Sequence, residues 1–327
     1  MKILIVDNSF LPFNKYGGTE RVIWYLGKSL SQMGHEVGYL VKQGSSCPFA
    51  KVHEINPAEE ITAQIPEGYD MVHFQFQVKD YPHPHVMTFH GNQNHQSPFA
   101  QNTIFISANH AQRYGADTFV HNGLDFSDYG SVELHNPKNY FHFIGKAAWR
   151  LKNVKGAINI IKQVPQAKLK VLGGNRLNLK MGFRFTTTPK AQFHGMVGGD
   201  EKNNYLRYSK GLIFPVLWHE PFGLAITESL YYGNPVFGTP YGSLPELVPA
   251  EFGFLSHRSS EIVEAVKNVD QFSRKACHEY AVEMFNADKM AEGYLKCYER
   301  VLNHEPLNAQ APRLTKVQEE KFLPWEA

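Results

Sequence analysis

The sequence predicts an α/β protein made of two Rossmann-like, doubly wound domains. Three observations carry this. The chain has 327 residues, enough for two domains that each bury a core. Short apolar runs that do not alternate, the mark of parallel strands buried on both faces, recur between helical or loop segments. A polar, proline-containing stretch, DFSDYGSVELHNPKN over 125–139, lies between two such series and reads as a linker. The expected domains are therefore 1–135 and 136–303. The remainder, 304–327, has three prolines and mixed charge, and is expected to be an extended or loosely packed tail.

Composition narrows the class. Apolar residues make up 43% and charged residues 20%, the balance of a soluble globular protein. A net charge of +2 predicts no nucleic-acid partner. No run of apolar residues is long enough to span a membrane as a helix. Met1-Lys2 leads straight into KILIVD, so no signal segment is expected. Cys47, Cys277 and Cys297 are scattered and form no C-x-x-C, which fits a reducing cytoplasm.

In the first domain, 2–7 is the first strand. A helix follows from about Thr19 to Met33, with Val22, Ile23, Leu26 and Leu30 at helical spacing and Gly34 as its stop. Gly17 and Gly18 stand just before its N-terminus, where backbone N–H groups can meet an anion; they do not complete G-x-G-x-x-G, which argues against a dinucleotide dehydrogenase. Further strands are expected near 35–41, 52–55, 69–74, 85–89, 104–107 and 118–120, with helices between 44 and 120 short or absent. His90 lies just past the end of the strand HVMTF, where open α/β sheets bind ligands. A metal reading would use His83, His85 and His90, but no Cys, Asp or Glu nearby supports it. The Asn122-Gly123 pair is a structural turn.

The second domain opens with a strand over 140–144, then Gly145-Lys146 and Lys152-Asn153 before a helix through Ile161. A strand over 167–172 ends in Gly173-Gly174, and a helix over 200–209 leads to the most informative run, 211–236. There, Leu212 to Val216 reads as a buried strand. Pro221 suits the first position of a helix that runs to Tyr232 and stops at Gly233. Phe222, Gly223 and Leu224 would then present unpaired backbone N–H groups to a phosphate or sugar oxygen. Glu220 precedes the helix and Glu228 lies about 12 Å further along its axis. That is too far for an acid/base pair on one bond, where roughly 5–10 Å is usual. Taken singly, Glu220 would pass as a helix-start charge and Glu228 as part of a solvated face. Beyond 236 come a strand to Thr239, a helix over 260–269, and a helical stretch over 273–302 broken near Asn286.

The run FPVLWHEPFGLAITESLYYGNPV resembles the family 4 retaining glycosyltransferases of GT-B fold, with Glu220 and Glu228 as the E-x7-E signature. Other stretches share the resemblance: YGGTERV, the F-H-G around His90, HNGLD at 121–125, FHGMV at 193–197, GSLPEL at 242–247 and GFL at 253–255. Gly145-Lys146 and Lys152 resemble G-R-x5-K, with lysine where the family usually has arginine. Lysine keeps the charge but loses the bidentate fork, so a weaker clamp is expected, which Arg150 or Lys155 could share. The resemblance covers nearly the whole chain, most strongly 140–256, and is nearest to a compact, avilamycin-glycosyltransferase-like branch.

The resemblance implies two facing domains with the active site in their cleft, and a last helix that crosses back to the first domain. It implies hexosyl transfer, with retention, from a nucleotide-diphosphate sugar to a glycan, lipid-linked saccharide or small molecule. Lys146 and Lys152 would grip the diphosphate, helped by Phe222, Gly223 and Leu224. Glu220 and His90 would contact the donor sugar, Glu228 the ribose, Met196 and Val197 the region of the nucleobase, and Gly17 and Gly18 the phosphates and acceptor. No metal or other cofactor is required by these residues. Acceptor contacts would come from loops 9–16, 75–84 and 92–100. Many relatives act on lipids, so peripheral contact with the inner face of a membrane is compatible with the resemblance, although no amphipathic basic helix marks it. Rival readings are a phosphorylase or epimerase of the same fold, which lacks the E-P-F-G-L run, and a non-catalytic sugar-nucleotide-binding protein, against which the presence of Glu220, Lys152 and Glu228 argues.

Overall fold

The structure is a computed structural model and describes every residue except 14–16, 80 and 180. Asn14, Lys15, Tyr16 and Asp80, which belong to the loops expected to meet an acceptor, thus lie outside the described residues. The chain divides into two compact units, Met1–Asp125 with Phe285–Gln318, and Phe126–Met284 with Glu319–Ala327.

In the first unit, β1 (Lys2–Val6) is followed by α1 (Gly18–Gln32), β2 (Glu36–Lys42), β3 (Lys51–Ile55), β4 (Met71–Phe74), β5 (His85–Thr88), β6 (Thr103–Ile104) and the short α2 (Ala108–Arg113). The sheet has the order β3-β2-β1-β4-β5-β6, and every pairing in it is parallel. The chain moves outward from β1 and then returns to β4, so the order reverses between those two strands. Thr118 to Val120, expected as a strand, forms only a single bridge from Phe119 to Phe105. Helix α1 turns Val22, Ile23, Leu26 and Leu30 inward. Gly27 is required there, because a Cβ would lie 2.0 Å from the Tyr39 hydroxyl.

The second unit holds β7 (Tyr140–Ile144), α3 (Val154–Lys162), β8 (Lys168–Leu172), the two short strands β9 (Leu177–Asn178) and β10 (Arg184–Phe185), β11 (Ala191–Phe193), α4 (Gly199–Arg207), β12 (Leu212–Phe214), α5 (Leu224–Tyr231), β13 (Val236–Gly238), α6 (Leu244–Leu247), β14 (Gly253–Leu255), α7 (Ser259–Lys267) and α8 (Arg274–Met284). Its six-stranded sheet runs β11-β8-β7-β12-β13-β14, again all parallel. Here the order reverses between β7 and β12. All five residues of β7 and all three of β12 are buried, as two-sided coverage requires.

The last helix, α9 (Ala287–Leu302), belongs to the first unit. The break at Asn286 is a cap, its side chain accepting from Lys289 N–H at 2.7 Å.

Two expectations need correction. The stretch over 125–139 is not a free linker. The division falls after Asp125, and Phe126 stacks on Tyr231 with ring centroids 4.4 Å apart. The tail is extended but not loose. Phe99 N–H donates to Pro312 O at 2.7 Å, Arg313 N–H to Tyr114 O at 2.9 Å, and Leu323 N–H to Leu217 O at 2.9 Å. Leu307 and Leu314 are buried. A proline-rich sequence without a helical or strand pattern can still be fixed by backbone bonds to its neighbours.

Buried histidines link the strands to their helices. His73 on β4 meets the Tyr298 hydroxyl at 2.8 Å and Thr88 Oγ1 at 2.7 Å. His142 on β7 lies between Ser209 Oγ and Ser229 Oγ, each at 2.7 Å. Burial pushes His73, His110 and His142 down to about 3, from an ordinary 6.5. Unfolded, these imidazoles take up protons near pH 6.5, so the unfolded state binds more protons than the folded one below that pH. Stability is therefore full above about pH 6.5 and falls as pH drops, by roughly 1.4 kcal/mol per pH unit for each histidine. We expect the melting temperature to be level near pH 7–8 and to fall steadily from pH 6.5 towards 4. A melting temperature unchanged between pH 7 and 5 would mean that these imidazoles are charged in the fold.

Candidate active site

In open parallel sheets, ligands bind beyond the C-terminal ends of the strands where the order reverses. In the second unit that place follows β7 and β12. The chain leaves β7 at Gly145, whose φ of 148° few other residues adopt. Gly173, after β8, packs directly on it: a Cβ at Gly173 would lie 2.1 Å from Gly145 O. Ala147 N–H donates to Gly173 O at 2.7 Å, and Gly173 N–H to Gly195 O at 2.6 Å. Three loops are thus layered backbone on backbone. Lys146 emerges from the first of them, exposed, with its ammonium 5.6 Å from the Trp149 ring.

Lys152 ends a 3₁₀ turn over Arg150–Lys152, and Asn153, with φ 53°, starts α3 by accepting from Gly156 N–H at 2.9 Å. Its ammonium lies 5.0 Å over the Trp218 ring and 5.1 Å over that of Phe214. It meets Glu220 Oε2 at 2.6 Å, and Trp218 Nε1–H donates to the same oxygen at 2.8 Å. The two charged side chains are only 14% and 8% exposed, so this pair is far less screened than a surface one. Trp149 packs edge-on against Trp218 at 6.3 Å, which ties the lysine turn to the loop after β12.

The helix after Glu220 begins later than expected. Gly223 is left-handed, with φ 91° and ψ 70°, so Pro221 and Phe222 are loop residues and α5 starts at Leu224. The orphan donors of its first turn are those of Leu224 and Ala225, while the Phe222 side chain is core. Glu228 accordingly stands about 6 Å along the helix from its start. The clamp on this loop comes from GSLPEL. Gly242, at φ 64°, lies so close that a Cβ would be 2.3 Å from both Glu220 N and Glu220 O. Ser243 N–H donates to Glu220 O at 2.9 Å and Ser243 Oγ to Phe222 O at 2.6 Å.

Glu228 is 1% exposed, inside the unit rather than on a solvated face. Its Oε1 takes Lys202 Nζ at 2.7 Å and the Tyr129 hydroxyl at 3.1 Å, and the lysine ammonium lies 5.1 Å from the Tyr129 ring. Sequence reasoning missed both partners. Lys202 follows Asp200-Glu201 and looks solvated, and Tyr129 lies in the expected linker. Met196 is exposed and Val197 buried.

In the first unit, Gly17 is the residue before α1, and the Glu20 carboxylate crowds it, 2.6 Å from where a Cβ would stand. Arg21 Nε donates to Gly17 O at 3.0 Å. His90 Nε2 lies 2.8 Å from Gln75 Oε1. An amide oxygen only accepts, so the proton is on Nε2 and Nδ1 is the acceptor. Burial pushes His90 down to about 4, which keeps it neutral near pH 7. Gln75, at the end of β4, was not singled out by sequence reasoning; its buried Nε2 has no protein acceptor. His85 Nδ1 faces His83 O at 2.8 Å. Among the described residues no three His, Cys, Asp or Glu side chains converge as metal ligands, and no helix is long and apolar enough to cross a membrane.

Residues 129–284 match the family model described as glycosyl transferases group 1. No curated protein matches the chain by sequence. Among solved structures it is similar to AviGT4, a glycosyltransferase involved in avilamycin A biosynthesis, at 19% identity and TM-score 0.74, covering 93% of this chain and 98% of that one. It is also similar to sucrose-phosphate synthase from Thermosynechococcus elongatus, at 16% identity and TM-score 0.68, covering 93% and 100%. A third is Anabaena HepE in complex with UDP and glucose, at 16% identity and TM-score 0.64, covering 91% and 99%. The chain has the GT-B fold, and its family match is confined to a glycosyl transferases group 1 domain in the second half of it. Its glycosyl transferases group 1 region spans residues 129–284, which contain Lys152, Glu220 and Glu228.

Lys202→Met should leave the Glu228 charge buried without the Lys202 cation, and cost roughly 3–5 kcal/mol in urea unfolding. Adding Glu228→Met should recover a large part of that loss. If the double variant is as unstable as the single one, the pair does not set the cost.

Proposed function

We propose that the chain moves a hexosyl group from a nucleotide-diphosphate sugar to a carbohydrate, lipid-linked or small-molecule acceptor, with retention at the anomeric carbon. The observation that carries this is the contact of Lys152 with Glu220 at 2.6 Å, beside the Trp218 and Phe214 rings. A cation suited to a diphosphate and a carboxylate suited to sugar hydroxyls are held on one another at the end of the central strands. The solved structures of Anabaena HepE with UDP-glucose and of starch synthase IV with ADP support a nucleoside-diphosphate donor.

The bond from the anomeric carbon to the leaving phosphate oxygen breaks through an oxocarbenium-like transition state. Negative charge grows on that oxygen, which is where fixed donors help most. Lys152, Lys146 and the N–H groups at the start of α5 supply them. The diphosphate replaces Glu220 as the partner of Lys152, and the carboxylate turns to the hydroxyls of the sugar. The leaving phosphate takes the proton of the acceptor hydroxyl, so no protein base is needed. Glu228, held by Lys202 and Tyr129, takes the ribose hydroxyls, and the Met196-Val197 loop borders the base. His90 offers Nδ1 to a sugar hydroxyl. The lysines do the electrostatic work a divalent ion would otherwise do, so the reaction runs without metal.

A thermal-shift panel of UDP, GDP, ADP, dTDP and CDP tests the nucleotide. One of them at about a hundred times its dissociation constant should add roughly 2.7 kcal/mol, with EDTA making no difference. With the matching donor, Lys152→Ala and Glu220→Gln should each lower kcat/KM by about 10²–10³-fold, and Lys146→Ala by less. Full transfer by Glu220→Gln would overturn the assignment.

A further inference from the structure

Residues 322–326, Phe-Leu-Pro-Trp-Glu, run extended over the second unit, outside its helices and sheets. Their contacts fall on the loops of the candidate site one after another. The Phe322 ring lies 4.8 Å from the Arg150 guanidinium, two residues before Lys152. Leu323 N–H donates to Leu217 O at 2.9 Å, and Leu217 N–H in turn donates to Leu151 O at 2.7 Å. Leu217 is thus held through both its backbone groups, next to Trp218. Pro324 O accepts from the Tyr241 hydroxyl at 2.5 Å. Tyr241 adjoins Gly242, which packs against the Glu220 backbone. Loops that leave three different strands, β7, β12 and β13, therefore meet one pentapeptide, each within two residues of a group that builds the site.

The far end of the segment is anchored away from the site. Glu326 pairs with Arg258, just before α7. Glu326 N–H donates to His257 O at 2.9 Å, and Ser259 N–H to Glu326 O at 2.7 Å. The Glu326 carboxylate meets Arg258 Nε at 3.1 Å. Trp325 packs on the core of the unit. The segment is pinned at one end and spread over the site loops at the other. Segments with few buried apolar contacts open locally with ease, so bonds of this kind decide how far such loops stray.

We propose that residues 322–326 form a clasp that holds the Lys152 turn, the Trp218–Glu220 loop and the Gly242 loop against one another, and that they are positioning residues for the reaction. The effect on rate rests on the transferase reading; the hold on the loops does not. The full chain is compared with a chain lacking 322–327, with Tyr241→Phe and with Phe322→Ala. In the shortened chain, amide hydrogen exchange should quicken about tenfold or more over 146–153, 216–222 and 240–243, and stay unchanged in β7, α5 and the first unit. Tyr241→Phe, which removes one hydroxyl, should quicken 216–222 and 240–243 alone, and decides the matter if the shortened chain does not fold. With a nucleotide sugar that the wild type turns over, kcat should fall about 10²-fold in the shortened chain, the loss expected when reacting groups shift by about 1 Å. Phe322→Ala should lose less, and Phe322→Trp, which keeps a ring at Arg150, should recover most of that loss. Unchanged exchange in the three loops, or a kcat unchanged by the shortening, would overturn the proposal. So would exchange that quickens throughout the second unit, since the segment would then only support the fold. A wild type without transfer activity but with the expected local exchange would sink the transferase reading and leave the clasp standing.

Discussion

Everything proposed for the second unit depends on the parallel pairing of β7 with β12. These strands are fully buried, so they cannot slip by one residue without turning Phe143, His142 and Ile213 the wrong way. Because the register is fixed, the loops that leave the two strands start side by side. One carries Lys146 and Lys152, the other Trp218 and Glu220. The ion pair between them follows from that adjacency, and the glycines at 145, 173 and 242 allow backbones to approach where a Cβ would collide.

A buried ion pair is weak ground for stability, because desolvation can consume the Coulombic gain. Lys152 and Glu220 are better read as groups positioned at the expense of some stability. The same holds for Lys202 and Glu228, with one difference. The first pair has aromatic rings on the cation and an indole N–H on the anion, so either partner could exchange for a ligand without leaving the other bare. The second is almost wholly buried and serves to hold a carboxylate still.

Much of the fold was legible because its signals are local. Apolar runs, glycine stops and the Asn286 cap set α1, α3, β7, β8 and the α8–α9 break to within a residue or two. The site was legible where a motif is contiguous, as at Glu220. It was not where the deciding contact is distant in sequence. Gly223 adopts a left-handed conformation in a loop clamped by Gly242 and Ser243, so the helix begins three residues later than Pro221 suggests. Tyr129 reaches Glu228 across 99 residues, and nothing near it in sequence announces that. The tail's extended form was legible but its packing was not, because its order rests on backbone hydrogen bonds, which leave no pattern in side chains.

The indole of Trp218 donates to the carboxylate of Glu220 and faces the ammonium of Lys152, and Trp149 sits against it. These are two of the four tryptophans in the chain. An excited indole shifts its charge, so its emission depends on the fields of those two neighbours. Any molecule that parts the ion pair changes both fields at once. The protein therefore carries an intrinsic optical gauge of occupancy at this point, readable in solution without a label.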